Sequence, residues 1–274
     1  MPLVPRSLGD IAARFARPVR TTPVGRSGGS AGVASGGGPD TPLEQLRVAR
    51  VEWGGALAVQ ADETSCGAAC LVMLAATGDP VLAGWLDSGE LPAGVGLGDL
   101  PPEIPALALG AELDAGGRFA AAQQVVRGLT RSRGLGPLPW PRSLGTAPWA
   151  AARVARFPGV RYVSRPVDDR GAAGQEMLSL VLNALRQGLP VLLYTGGDRG
   201  TGLATAMPRH VVLAVPGEGR VTTEGVPVVS IYEPHSGNVF EVPADSLVDR
   251  TERSRALGGW THVQWVVLPQ PLSS

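Results

Sequence analysis

Met177, Leu178, Val181, Leu182 and Leu185 recur at helical spacing in GQEMLSLVLNALRQGLPVLLYTG, residues 174–196, and the pattern stops at Gly188 before Pro190 and a β-rich run. A helix followed by a buried strand is the reading that fits. Three more strands are predicted in RHVVLAV, VPVVSIYEP and THVQWVVLP, with NVFEV as a short edge strand. Far upstream, Cys66 to Thr77 reads as a buried helix with Thr64 or Ser65 as its cap and Gly78 at its end. One helix near the start and an antiparallel sheet near the end give an α+β class, with the helix packed on the sheet.

Residues 1–46 are a different material. A short basic amphipathic segment, Leu8 to Arg17, runs into GRSGGSAGVASGGGPDTP, which has too little apolar surface to offset its ordering entropy. The expectation is a flexible tail at 1–46 and one folded domain over 47–274. Between Gly94 and Arg170 the chain is loop-like, with short helices predicted at Ala120 to Thr130 and Ala147 to Phe157.

Twenty-four arginines and twenty-four acidic residues cancel, and lysine is absent. Such a balance lacks the electrostatic footprint of a nucleic-acid binder. No run reaches the ~18 apolar residues of a membrane span, and the N-terminus has no apolar core of secretory length, so no integral membrane segment and a cytoplasmic location are expected. The two cysteines, four residues apart, cannot build a disulfide framework and suit a reducing compartment.

The chemistry centres on VQADETSCGAACLVML. A thiol reacts as thiolate, and Cys66 at the first turn of a helix faces the unpaired amides and positive dipole end that favour a negative sulfur. Gly67 allows close approach of a substrate backbone, and Cys70, one turn deeper, reads as core. A cysteine nucleophile needs a base held by a third group. Of the three histidines, His210 enters a strand; Glu233, in IYEPHSG at the end of the next strand, is placed to orient its ring, with Asp245 or Asn238 as the next orienters to consider. Gln60, six residues before Cys66, supplies an amide donor for an oxyanion alongside the Cys66 backbone N–H. His235 and His262 are expected to be non-catalytic. No metal site and no cofactor are expected, because the chain offers too few ligands at suitable spacing and no GxxxxGK[ST] phosphate loop.

Together VQADETSCGAACLVML, LRQGLPVLL, RHVVLAV and VSIYEPHSG resemble the bacteriocin-processing, double-glycine leader peptidases, cysteine peptidases of papain-like fold. The resemblance spans roughly Val59 to Leu268 and is poor in the middle. It implies a cysteine peptidase acting on a peptide or protein substrate, with Cys66 as nucleophile, His210 as base, Glu233 as orienter and Gln60 in the oxyanion hole. It also points to SGG and SGGGP in the tail, where self-processing would end fragments at Gly29 or Gly37. The family has aspartate where this chain has Glu233, so the longer side chain is expected to require strands set further apart. The same groups serve acyl transfer to other acceptors or deamidation of glutamine side chains. A peptide-binding module that kept the fold and lost the chemistry is the third alternative, which the glutamate favours.

Overall fold

A computed structural model describes residues 16–17, 47–109, 112–132, 138–197 and 208–272. Among these, five α-helices flank an antiparallel sheet. The helices are α1 (Cys66–Gly78), α2 (Pro80–Ser88), α3 (Ala115–Arg131), α4 (Pro148–Val154) and α5 (Gly171–Arg186). The strands are β1 (Ala16–Arg17), β2 (Arg47–Trp53), β3 (Ala56–Leu57), β4 (Val160–Pro166), β5 (Val191–Gly196), β6 (His210–Val215), β7 (Val228–Glu233), β8 (Asn238–Pro243) and β9 (His262–Pro271). Their order across the sheet is β1-β2-β8-β7-β6-β5-β9-β4, with β3 paired on β2.

The sheet is covered on both faces, which is why its central strands read as continuous apolar runs. Side chains alternate: Leu192, Tyr194, Val211, Leu213 and Tyr232 join the core under α1, α2 and α3, whereas Val191, Leu193, Val212, Ala214 and Ile231 join the core under α5. Every residue of α1 from Cys66 to Ala76 is buried. Its alanines let it lie close on β6, where the Cys70 thiol donates to the Val211 carbonyl at 3.4 Å. At its end, a Cβ on Gly78 would fall 2.6 Å from Pro158 Cδ, so the close approach, rather than a left-handed cap, accounts for glycine there.

Several elements differ from expectation. β8, expected as an edge strand, is interior, because β2 pairs along it with Val48 opposite Phe240 and Ala49 opposite Val239. α3 begins at Ala115, earlier than expected, because Asp114 caps it by accepting from the Gly117 N–H at 2.7 Å. α4 stops at Val154 and Phe157 instead bridges Val160. Of the expected tail, only Ala16–Arg17 is described, in a short pairing with Val51 and Arg50; Gly29 and Gly37 lie outside the described residues. Among the described residues no single helix is long and apolar enough to cross a membrane; α1 and α2 reach that composition only as a pair bent by 115°.

Candidate active site

Cys66 is the first residue of α1, so its backbone N–H has no carbonyl partner within the helix. The loop that delivers it is tightly held. Ser65 Oγ accepts from the Asp62 N–H and donates to the Asp62 carbonyl, both at 2.8 Å. Asp62 Oδ1 accepts from the Thr64 N–H and hydroxyl at 2.9 and 2.8 Å, and Oδ2 pairs with Arg127 of α3. Thr146 packs on the residue after Cys66: a Cβ on Gly67 would fall 2.6 Å from the Thr146 Cβ, so glycine is required for the contact.

His210 opens β6 and Glu233 closes β7, two strands paired with Leu213 opposite Tyr232. The His210 Nε2 to Glu233 Oε1 distance is 2.8 Å, and Cys66 lies near enough to the same ring to act on its titration. An ionised carboxylate only accepts, so the Nε2 hydrogen points to Glu233 and Nδ1 is left for another partner. Burial opposes protonation of His210, but its hydrogen bonds to Cys66 and Glu233 and their charges prevail and raise it to about 9. Burial likewise opposes ionisation of Glu233, and its hydrogen bonds from His210, Ser236 and His235 with the His210 charge prevail, lowering it to about 2.

The Glu233 carboxylate folds back on its own turn, Oε1 accepting from the His235 N–H at 2.8 Å and Oε2 from the Ser236 N–H at 2.9 Å. The β6–β7 ladder pairs residues 213–215 with 230–232 and stops short of His210 and Glu233, so the longer side chain works at a place where the two strands are no longer paired. Behind the ring, Gly258 sits in the left-handed region at φ 69°, and a Cβ there would fall 2.2 Å from His210 Cδ2. The turn carrying Gly258 is tied to β5 by the buried Thr195 hydroxyl, which donates to Leu257 O at 3.0 Å.

Gln60 reaches the same place through its backbone, its N–H donating to Pro234 O at 2.7 Å. Its side-chain Nε2 donates to Asp62 O at 2.9 Å, and its buried Oε1 has no hydrogen-bond partner among the described residues. The structure therefore joins Cys66, His210 and Glu233 through side chains, and brings Gln60 beside them through the main chain.

The remaining candidates fall elsewhere. Cys70 is wholly buried, and burial pushes its thiol well up, reinforced by the charges of Cys66 and Glu233. His235 is exposed. Asn238 pairs across from Glu233 in the β7–β8 register, and Asp245 lies in the 3-10 turn Ala244–Leu247; among the described hydrogen bonds neither meets His210. His262 is buried in β9, its Nδ1 3.1 Å from Asp169 Oδ1 and its Nε2 2.9 Å from Arg170 Nη2. No group of three or more His, Cys, Asp or Glu among the described residues is placed to hold a metal.

Sequence reasoning passed over Thr146, Gly258 and Gln123. The first two carry no local signal, since their roles exist only by contact with distant segments. Gln123 did leave one: it interrupts the apolar stripe Phe119, Ala122, Val126 of α3, and a polar residue on a buried helical face demands partners. Neither a model of a known protein family nor a curated protein matches this sequence.

Proposed function

We propose that the chain is a papain-like cysteine peptidase, Cys66 attacking a peptide carbonyl with His210 as proton carrier and Glu233 as its orienter. The observation that carries this reading is the 2.8 Å His210–Glu233 contact on a ring that also meets the Cys66 side chain. In this reading the Cys66 proton passes to His210, and the sulfur bonds to the carbonyl carbon. The C–N bond then breaks as the imidazolium gives its proton to the leaving amine, and an acyl-thioenzyme remains. His210 next takes a proton from water, whose oxygen displaces the sulfur; the products are a carboxylic acid and the restored thiol. The Cys66 N–H and the Gln60 amide are the donors for the oxyanion formed in both halves.

The Glu233 contact argues against a binding module that lost its chemistry, since the glutamate carboxylate reaches the ring at 2.8 Å. No cofactor takes part in this scheme. The test is iodoacetamide labelling of Cys66 across a pH series, beside mass spectrometry of a peptide library incubated with the protein and with its Cys66→Ala form. Labelling well below the free thiol range of about 8.5 and cleavage that requires Cys66 are expected. Labelling that begins only near that range would overturn the reading. Cys66-dependent mass gains of about one dalton without cleavage would assign deamidation instead.

A further inference from the structure

We propose that Gln123 of α3 is a positioning residue for Gln60, setting the donor that meets the oxyanion; this rests on the peptidase reading above. Gln123 is 0% exposed. Its Oε1 accepts from the Ala61 N–H at 2.9 Å, and its Nε2 donates to the Val59 carbonyl at 3.1 Å. The two bonds grip the main chain immediately before and immediately after Gln60. From the other side, the Gln60 N–H is held by Pro234 O at 2.7 Å, at the turn that follows Glu233. The Gln60 backbone is thus fixed between α3 and the acid turn. One helical turn further along, Arg127 pairs with Asp62 and donates from Nη2 to Thr64 Oγ1 at 3.0 Å, which holds the rest of the loop up to Cys66.

The chemistry of the contact selects the residue type. A planar carboxamide offers one acceptor and one donor side by side, matching the N–H and C=O that flank a residue in an extended segment. An ionised glutamate has no donor for Val59 O, and leucine or methionine would leave both part-buried backbone groups without these partners. A polar side chain in the apolar stripe of a helix is costly unless satisfied, and here both halves are satisfied by the loop.

Two reactions of Cys66 separate positioning from general support. Alkylation by iodoacetamide forms the S–C bond as iodide leaves and builds no oxyanion, so it reads the thiol and His210 alone. Acetylation by p-nitrophenyl acetate forms the S–C bond at a carbonyl, passes through an oxyanion and expels p-nitrophenolate, so it also reads Gln60. In Gln123→Met, acetylation is expected to fall on the order of 10- to 100-fold, the scale of a displaced catalytic group, while alkylation stays within about 2-fold. The double variant Gln60→Ala with Gln123→Met is expected to match Gln60→Ala within about 2-fold, because both changes remove one interaction.

Equal losses in both reactions, or losses that multiply in the double variant, would overturn the role. Should Gln123→Met not fold, Gln123→Glu decides: the ratio of acetylation to alkylation should rise as pH falls, since only the protonated carboxyl can donate to Val59 O. A flat ratio would count against Gln123. Wild-type protein that releases no p-nitrophenolate beyond its Cys66→Ala form would overturn the peptidase reading itself, whereas normal release in wild type and in Gln123→Met would overturn the positioning role alone.

Discussion

Among the described residues His210 pairs with Glu233 and His262 with Asp169, and the two pairs differ in what lies beyond the ring. At His262 the Nε2 nitrogen is 2.9 Å from the Arg170 guanidinium while Nδ1 is 3.1 Å from Asp169 Oδ1, so both ring nitrogens are taken up by fixed structural partners. Asp169 Oδ2 also accepts the Val263 N–H at 2.9 Å, so the pair is a latch between β9 and the start of α5. Beside the His210 ring lies Cys66, which in the proposed reading is the group that exchanges a proton with it. A histidine and a carboxylate are therefore not a site by themselves; the partner beyond the ring decides whether the proton has anywhere to go.

The sharpest way to break the comparison is to truncate each ring. His210→Ala should lower turnover by about 10²- to 10⁴-fold, the range of a general acid–base group, and also destabilise the fold, since buried Glu233 keeps the His235 and Ser236 amides but loses the ring. His262→Ala should leave the rate per folded molecule within about 3-fold while costing about 1–3 kcal/mol by denaturant unfolding, since Asp169 keeps the Val263 N–H but loses the ring. Similar kinetic losses in both would erase the distinction.

Next in size are the carboxylates. Glu233→Gln should cut kcat on the order of 10²- to 10⁴-fold, as removal of an orienting carboxylate does, whereas Asp169→Asn should lower Tm and leave kcat within about 3-fold. Full activity in Glu233→Gln would remove Glu233 from the mechanism.

A smaller effect tests ring placement alone. Gly258→Ala sets a methyl where only 2.2 Å separates it from His210 Cδ2, in a backbone conformation that disfavours side chains. Displacing the ring by about 1 Å should reduce kcat by about 100-fold. Unchanged kcat would show that the turn yields and that the ring is not set by it.

The mildest effect is a shift in pH dependence. Because His210 is raised from 6.5 to about 9, protonated His210 favours the fold, a stabilisation complete below 6.5 and lost as pH rises through about 9. Glu233, lowered from 4.5 to about 2, stabilises fully above 4.5 and loses that contribution as pH falls through about 2. The rate should accordingly fall on the alkaline side near pH 9, as the leaving amine loses its acid. In Glu233→Gln that limb should move toward 6.5. An alkaline limb that stays in place would detach the carboxylate from the proton chemistry.

Legibility in the sequence followed the range of the interactions. α1 and β5 announce themselves locally because they are buried almost throughout, and β6, β7 and β9 because most of their residues are buried and most are apolar. β2 and β4, RVARVEW and VRYVSRP, are rich in arginine and exist by pairing with β8 and β9, so nothing local marks them. Missing β2 is what made β8 look like an edge. The residue types of the site were readable from order and spacing. Gly258 behind the ring and Thr146 against Gly67 were not, since a glycine or threonine carries no chemistry until its neighbour is known.

The placement of Cys66 at the head of α1, with His210 on β6 and Glu233 on β7, also has a consequence for synthesis. When α1 leaves the ribosome it can bury against α2 and α3, but the sheet strand beneath it has not yet been made. Until β6 and β7 have been translated and paired, the chain carries Cys66 without His210 and the Gln60 segment without its Pro234 anchor. Contacts of such long sequence separation form late and slowly. In the proposed reading the nascent polypeptide is chemically silent, and competence arrives together with the central strands.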